Sequence, residues 1–180
     1  MEPSAILVYV DKGGPSAYRS TRAGLVVEAS LSAVMALMMD IPNFTSWMDS
    51  RLLAEPLTVL DRFSGYGYME RFTSWSVRHR AAVFFFQVTQ DPESRISAVV
   101  ISNAAAYLPE KPGLVRVPAF ASSWQVEPLV TGQVRIVNFL CFEPGGVLAP
   151  FLGQCLRGSI RLADTAQFRD SVTPATLSRR

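Results

Sequence analysis

The sequence predicts an α+β domain in which a curved antiparallel β-sheet wraps around one long C-terminal α-helix, with two short helices after the second strand. Three features of the 180-residue chain lead to this prediction. Two strand-like runs precede an apolar helical run. Six more strand-like runs then follow with tight turns and no helix between them, which indicates antiparallel pairing. After the Pro-Gly-Gly turn at 144–146, apolar residues recur at helical rather than strand spacing.

The first two strands are short and lead into a helix. The run SAILVYV, which ends at a Gly-Gly turn, is predicted to be the first strand. The alternation of Ala23, Leu25 and Val27 predicts a half-buried second strand. Ser30 is placed to cap a helix over LSAVMALMMD, whose residues are nearly all apolar, and we therefore expect this helix to be largely buried.

The stretch DIPNFTSWMDS, residues 40–50, combines turn-forming residues with Ile41, Phe44, Trp47 and Met48. We predict that it closes one end of the concave face of the sheet. Trp47 is expected to fill core, whereas Phe44 and Met48 are expected either in the core or in the wall of a cavity.

The middle of the chain supplies the remaining strands. The predicted runs are LTVLDRF, GYGYMERFTSW, AAVFFFQVTQ, RISAVVIS, GLVRVPAFASSWQVEPL and QVRIVNFLCFE. Residues 91–94 and 130–132 are predicted hairpin turns, and Gly65 and Gly67 are interpreted as turn glycines.

The run AAVFFFQV is apolar on both sides of its strand. Val83 and Phe85 share one face, and Phe84 and Phe86 share the other. One pair should line a cavity. The other pair must be covered within the monomer or by a second copy of the chain, as in a homodimer.

Residues 149–172 are predicted to form a long amphipathic helix, because Leu152, Leu156 and Ile160 recur at helical spacing. The tail 173–180 is expected to fray, and the chain is interpreted as one domain, 1–180, with its core at about 5–172. A strongly twisted sheet of this size curls, and one helix cannot fill its concave face. A cavity between sheet and helix is therefore expected, which is the helix-grip arrangement.

The charge and residue counts argue against several function classes. A net charge of +2 with dispersed Lys and Arg offers no basic surface for nucleic acid. His79, Cys141 and Cys155 have no metal-ligand or nucleophile partner at short spacing, so we expect no metal, no cofactor and reduced thiols. No apolar stretch reaches the ~20 residues that span a bilayer. The N-terminus lacks the features of a signal peptide, and we expect a cytoplasmic protein.

Four segments in order resemble the START domains, the steroidogenic acute regulatory-related lipid-transfer family. These segments are DIPNFTSWMDS, YLPEKPGLVRV, SSWQVEPL and QVRIVNFLCFEPGGVLAPFL. The resemblance covers nearly all of residues 5–172. It implies a helix-grip fold whose cavity binds a lipid or another hydrophobic small molecule. One departure is Arg80-Ala81, which stands where the family usually has an Arg-Asp pair.

The residues expected to line the cavity are spread over the strands, the closing stretch and the last helix. They are Phe44, Met48, Tyr68, Phe84, Phe86, Val99, Ile101, Arg116, Phe120, Trp124, Leu152, Leu156 and Ile160. Arg116 matches the family's arginine. It either points outward or lies inward, paired with Glu70 or Glu127, as an anchor for a ligand head group. Arg135 is expected to point outward.

Three functions stay open from the sequence. The first is a non-catalytic module that binds and carries a lipid or other hydrophobic small molecule, with transient membrane contact. The second is a polyketide cyclase/aromatase-like enzyme that uses the same cavity. Its available donors are Tyr66, Tyr68, Arg78, His79 and Tyr107. The third is a regulatory module that binds a partner with the outer face of its sheet.

Overall fold

The computed structural model describes residues 7–10, 19–47, 52–72, 78–130, 132–143 and 145. The helical elements are α1 (Leu31–Met39) and two 3₁₀ helices, Ile41–Ser46 and Ala105–Tyr107. The strands are β1 (Leu7–Val10), β2 (Arg19–Val27), β3 (Leu52–Asp61), β4 (Ser64–Arg71), β5 (Arg80–Gln90), β6 (Ser97–Asn103), β7 (Val115–Arg116), β8 (Ala119–Pro128) and β9 (Val134–Glu143). None of the helices in these ranges is long and apolar enough to cross a bilayer.

The strands form one curved sheet in the order β1-β2-β9-β8-β6-β5-β4-β3. Neighbours in this order pair antiparallel, as predicted. The short strand β7 differs, because it pairs with β5 in parallel. Since β2 and β3 lie far apart in the sheet, α1 and the first 3₁₀ helix carry the chain across one face of it. The α+β fold class is confirmed, whereas the predicted helix at 149–172 lies outside the described residues.

The face that α1 crosses, here called the inner face, carries the main core. Val34 and Met38 of α1 pack against sheet residues that include Leu25, Val126 and Ile136. Ser30 caps α1 as predicted, because its hydroxyl accepts a hydrogen bond from the Ala33 N–H at 3.2 Å. The expectation that α1 is largely buried is wrong. Only Val34 and Met38 are buried, while Ser32 and Ala36 are exposed, since a single side of the helix meets the sheet.

The opposite, outer face is covered by residues 104–118, which we call the outer segment. Leu108 and Leu114 of this segment pack against Tyr68, Ala81 and Val83. Backbone bonds hold the segment to β5, from the Ala104 N–H to the Val83 carbonyl and from the Val117 N–H to the Ala81 carbonyl, both at 2.9 Å. The second apolar face of β5 is thus covered within the chain.

The glycines of GYG are not turn residues, contrary to the prediction. Gly65 and Gly67 lie inside β4, where Gly67 pairs with Phe84 of β5. A Cβ atom on Gly67 would lie 2.3 Å from Cζ of Phe84. Glycine is therefore needed here because the Phe84 ring lies directly over the β4 backbone.

The hairpin turn at 91–94 forms as predicted. The Asp91 carboxylate accepts hydrogen bonds from the Ser94 N–H and hydroxyl, both at 2.7 Å. The Leu129 N–H donates to the Gln133 carbonyl at 2.8 Å and closes the β8–β9 hairpin. Arg135 points outward, also as predicted, and forms an exposed ion pair with Glu127 at 2.9 Å.

Candidate functional site

The inner face divides into a buried part and a half-buried part. Beneath α1 and the first 3₁₀ helix, side chains such as Val126 and Ile136 are fully enclosed. The neighbouring part carries four large apolar side chains that are only half-buried. These four floor residues are Phe86, Ile101, Phe120 and Trp124. Large apolar side chains that are left half-buried on a concave sheet are suited to contact an apolar ligand.

The register places the floor residues on the same face of three neighbouring strands. Phe86 of β5 pairs directly with Ile101 of β6, and Trp124 of β8 pairs with Val99 of β6. Side chains of directly opposed residues have Cβ atoms about 4.5–5.5 Å apart and touch. The floor is therefore a largely apolar surface across β5, β6 and β8, in which Ser122 lies opposite Ile101.

Aromatic rings close one side of this floor. The Trp47 ring packs edge-on against Phe44, with centroids 5.3 Å apart, and against Trp124, with centroids 6.1 Å apart. Phe44 and Trp47 are 4% and 2% exposed. Such edge-to-face pairs stabilise the ring arrangement beyond the burial of apolar area. The closing stretch thus plugs the end of the inner face, as its composition predicted.

Two polar groups interrupt the apolar surface. Asn138 pairs with Trp124 across β8 and β9, and its amide donates to the Ser122 hydroxyl at 3.0 Å and to the Ser123 carbonyl at 3.3 Å. Ser122 lies between Phe120 and Trp124 on the same face of β8. This pair offers a hydroxyl and an amide to a polar group of a bound molecule.

Arg80 is a buried cation at the start of β5, four residues before Phe84. Its guanidinium donates to the carbonyls of Arg78 and Gly145. Burial lowers the pKa of Arg80, although a guanidinium stays protonated in proteins. Arg80 is not among the site residues predicted from the sequence. The signal was a charged residue that opens an otherwise apolar strand.

Similarity to known structures identifies the fold. No family model matches the sequence. The uncharacterized protein PA1579 of Pseudomonas aeruginosa is 24% identical over 158 residues, which are 84% of this chain and 74% of that protein. A STAR-related lipid transfer protein of Xanthomonas axonopodis superposes with a TM-score of 0.83 at 21% identity, over 95% of this chain and 99% of that one. The chain has the fold of a START domain.

Two further structures mark the breadth of this START-like fold. The lipid transfer and protein localization domain of human StarD13 gives a TM-score of 0.77 at 18% identity, over 97% of this chain and 91% of that one. The Zhui aromatase/cyclase of a Streptomyces species gives 0.60 at 12% identity, over 90% and 95% of the two chains. The lower score places the cyclase structure further from this chain than the lipid-transfer domains.

The predicted lining residues fall into three groups on this START-like frame. Seven lie on the inner side, either buried (Phe44, Phe84, Val99) or half-buried (Phe86, Ile101, Phe120, Trp124). Two, Tyr68 and Arg116, belong to the outer side. Four, Met48, Leu152, Leu156 and Ile160, lie outside the described residues. Whether the first group contacts a ligand remains a prediction.

Tyr68 corrects the sequence prediction, since it lies on the outer face and is 1% exposed. Its hydroxyl donates to the Glu70 carboxylate at 2.5 Å, and Lys111 of the outer segment contacts the same carboxylate oxygen at 3.0 Å. The bond from Tyr68 and the nearby ammonium group lower the pKa of Glu70. Burial and the carboxylate raise the pKa of Tyr68. This cluster ties the outer segment to β4.

Arg116 is the second correction. Its guanidinium donates to the backbone carbonyls of Ala105 at 3.1 Å and Pro109 at 2.8 Å, both in the outer segment. Neither Glu70 nor Glu127 pairs with it: Glu70 binds Lys111 and Glu127 binds Arg135. Arg116 thus stabilises the covering of the outer face and does not anchor a head group on the inner face.

Proposed function

We propose that the chain binds a lipid or another hydrophobic small molecule against the floor residues, between the inner face and the segment that follows β9. The observation that carries this proposal is the floor of four large apolar side chains that remain half-buried on neighbouring strands. The similarity to lipid-transfer domains supports it. Carriage of the ligand between membranes, by transient contact and in the cytoplasm, is part of the same proposal.

The magnitude of the apolar contact is sufficient. Complete burial of one large apolar side chain contributes about 1.5–3 kcal/mol. Covering the exposed part of the four floor residues, at most about a third of each, would therefore contribute up to about 2–4 kcal/mol. Micromolar binding needs about 8 kcal/mol, and the apolar surface of the ligand itself can supply the rest.

The test places the same charge on the two faces of one strand. Ile101 is half-buried on the inner face, whereas its neighbour Val100 is 48% exposed on the outer face. Each is replaced by glutamate, and each protein is mixed with a lipid extract, separated by gel filtration and analysed for bound molecules by mass spectrometry. Ile101→Glu should lose binding at least tenfold, because the carboxylate would have to be desolvated. Val100→Glu should bind like the wild type.

Equal binding by two folded variants would contradict the proposal. Circular dichroism before the binding step separates loss of binding from loss of fold. If Ile101→Glu does not fold, Phe120→Ala, which shortens the floor without adding charge, takes its place.

The enzyme hypothesis receives little support from the positions of its proposed donors. Tyr66 stacks on Tyr107 at 4.0 Å between ring centroids and packs on Phe85, so both tyrosines lie on the outer side with Tyr68. His79 packs edge-on against Phe72, and Arg78 is exposed. These five side chains do not converge on the floor residues.

A further inference from the structure

A pocket of about 540 Å³ lies beside α1, at the end of the sheet that carries the β3–β4 and β5–β6 turns. Its described lining comes from α1, from these two turns and from the ends of β5, β6 and β8. None of the four floor residues contributes to it. Pockets of this volume are typical of binding sites for small organic molecules.

The walls of the pocket are largely apolar. Their apolar residues include Leu31, Met35 and Met39 of α1, Phe63 of the β3–β4 turn and Val88 of β5. The Phe63 carbonyl accepts a hydrogen bond from the Val88 N–H at 2.8 Å, which fixes the β3–β4 turn against β5. Methionine side chains adapt to ligands of irregular shape. These walls suit the apolar body of a small molecule.

Arg95 is the only charged residue among those that line the pocket in the described part of the chain. Its guanidinium makes no hydrogen bond or ion pair with any described residue. The carboxylates of Asp61 and Asp91 do not line the pocket. Each is engaged inside its own turn by N–H and hydroxyl donors. The cation at the pocket is therefore available to a ligand.

The backbone conformation at Arg95 fixes the direction in which its side chain starts. Arg95 has φ 59°, in the left-handed region that residues other than glycine rarely adopt. Two bonds hold this conformation, from the Arg95 N–H to the Asp91 carbonyl at 2.9 Å and from the Gln90 amide to the Arg95 carbonyl at 3.2 Å. The Gln90 amide also donates to the Ser97 hydroxyl at 3.0 Å. The position of Arg95 at the pocket is thus set by several bonds.

We infer that this pocket binds a small amphipathic molecule with a single negative charge, such as a carboxylate on an apolar chain. Its apolar body packs between α1 and Phe63, and its anion pairs with Arg95. The inference does not depend on the proposed function, because the pocket and the floor share no residues.

The test uses three probes of equal chain length: decanoate, decan-1-ol and decylammonium. Each is titrated below its micelle concentration or, for decan-1-ol, below its solubility limit into ¹⁵N-labelled protein, and amide shifts are followed by NMR. Decanoate should shift the amides of Ser32, Arg95 and Ser97 in a saturable way. Decanol should bind more weakly and decylammonium should not shift these amides. Added salt should weaken the binding of decanoate but not that of decanol, since salt screens only the charge pair.

Two matched variants decide the role of the charge. Arg95→Asn removes the guanidinium but keeps a residue that tolerates positive φ, so the turn should survive. This variant should lower the affinity for decanoate about tenfold, as expected for loss of a hydrogen bond to a charged group. Arg22→Asn makes the same charge change at an exposed residue of β2 and should leave decanoate affinity unchanged. Equal affinity for decanoate in the two variants would overturn the inference. So would shifts confined to the amides of Ile101 and Trp124, which would assign decanoate to the floor alone.

Discussion

Replacing Gly67 with alanine should destabilise the protein by pushing the Phe84 ring away from β4. An added Cβ would lie 2.3 Å from Cζ and 2.6 Å from Cε2 of Phe84. Carbon atoms prefer separations of about 3.5–4.0 Å, so the ring would have to move by more than about 1 Å. Phe84 is 1% exposed, so its ring can move only by displacing the side chains that surround it.

The expected net loss is about 2 kcal/mol of unfolding free energy. Overpacking a core costs about 1–3 kcal/mol, and the severity of this overlap favours the upper end. Alanine in a strand recovers about 0.5–1 kcal/mol relative to glycine. For a chain of 180 residues this loss corresponds to about 4–8 °C in Tm.

Gly24→Ala is the matched control. Gly24 lies in β2 of the same sheet, and among the described residues its added Cβ would meet no atom closer than the Ile136 carbonyl oxygen at 3.8 Å. Urea denaturation should show Gly24→Ala at or slightly above wild-type stability and Gly67→Ala well below it. Introducing Phe84→Leu should remove most of the Gly67→Ala penalty, because the overlapping ring atoms are gone. Equal stability of the two alanine variants would refute the packing argument.

Three further changes probe the outer face and the helix cap. The folded protein holds the pKa of Glu70 below its ordinary value of 4.5, so the ionised carboxylate contributes stability above pH 4.5 that is lost as the pH falls through the folded pKa. The difference in unfolding free energy between the wild type and Glu70→Gln should therefore shrink as the pH falls below 4.5. A gap that stays constant with pH in denaturation curves would contradict this. Arg116→Met should cost about 2–3 kcal/mol and speed amide exchange at Val117, while ligand binding stays unchanged; weakened binding would restore its role as an anchor. Ser30→Ala should cost about 1 kcal/mol through loss of the α1 cap, and an unchanged Tm would show that the cap contributes nothing.

Strand periodicity predicted much of the sheet. The alternation in AAVFFFQV separates Val83 from Phe84 and Phe86, and the structure places these residues in the two different cores. The composition of DIPNFTSWMDS likewise predicted the buried Trp47, whereas it left Phe44 open between the core and a cavity wall; the structure buries both.

The face of β4 could not be predicted because its inner positions carry glycines. In GYGY the tyrosines carry the only large side chains, so the sequence predicts that their face, with Tyr68, is the inner one. The inner positions are instead occupied by Gly65 and Gly67, since the rings of Phe86 and Phe84 take the space above them. This requirement arises from a neighbouring strand and leaves no periodic signal.

The outer segment escaped prediction for a similar reason. β7 has only two residues, and its parallel pairing with β5 depends on the fold of the whole segment. The partners of Arg116 are backbone carbonyls, which carry no sequence signature. The charged pocket at Arg95 also brings together α1 and two hairpin turns that are distant in sequence.

Native mass spectrometry of the protein purified from cells tests ligand binding most directly. We expect a fraction with the mass of the chain plus one hydrophobic small molecule, released by organic solvent and absent from Ile101→Glu. Protein that is free of ligand, and that takes up nothing from a lipid extract, would contradict the proposed function.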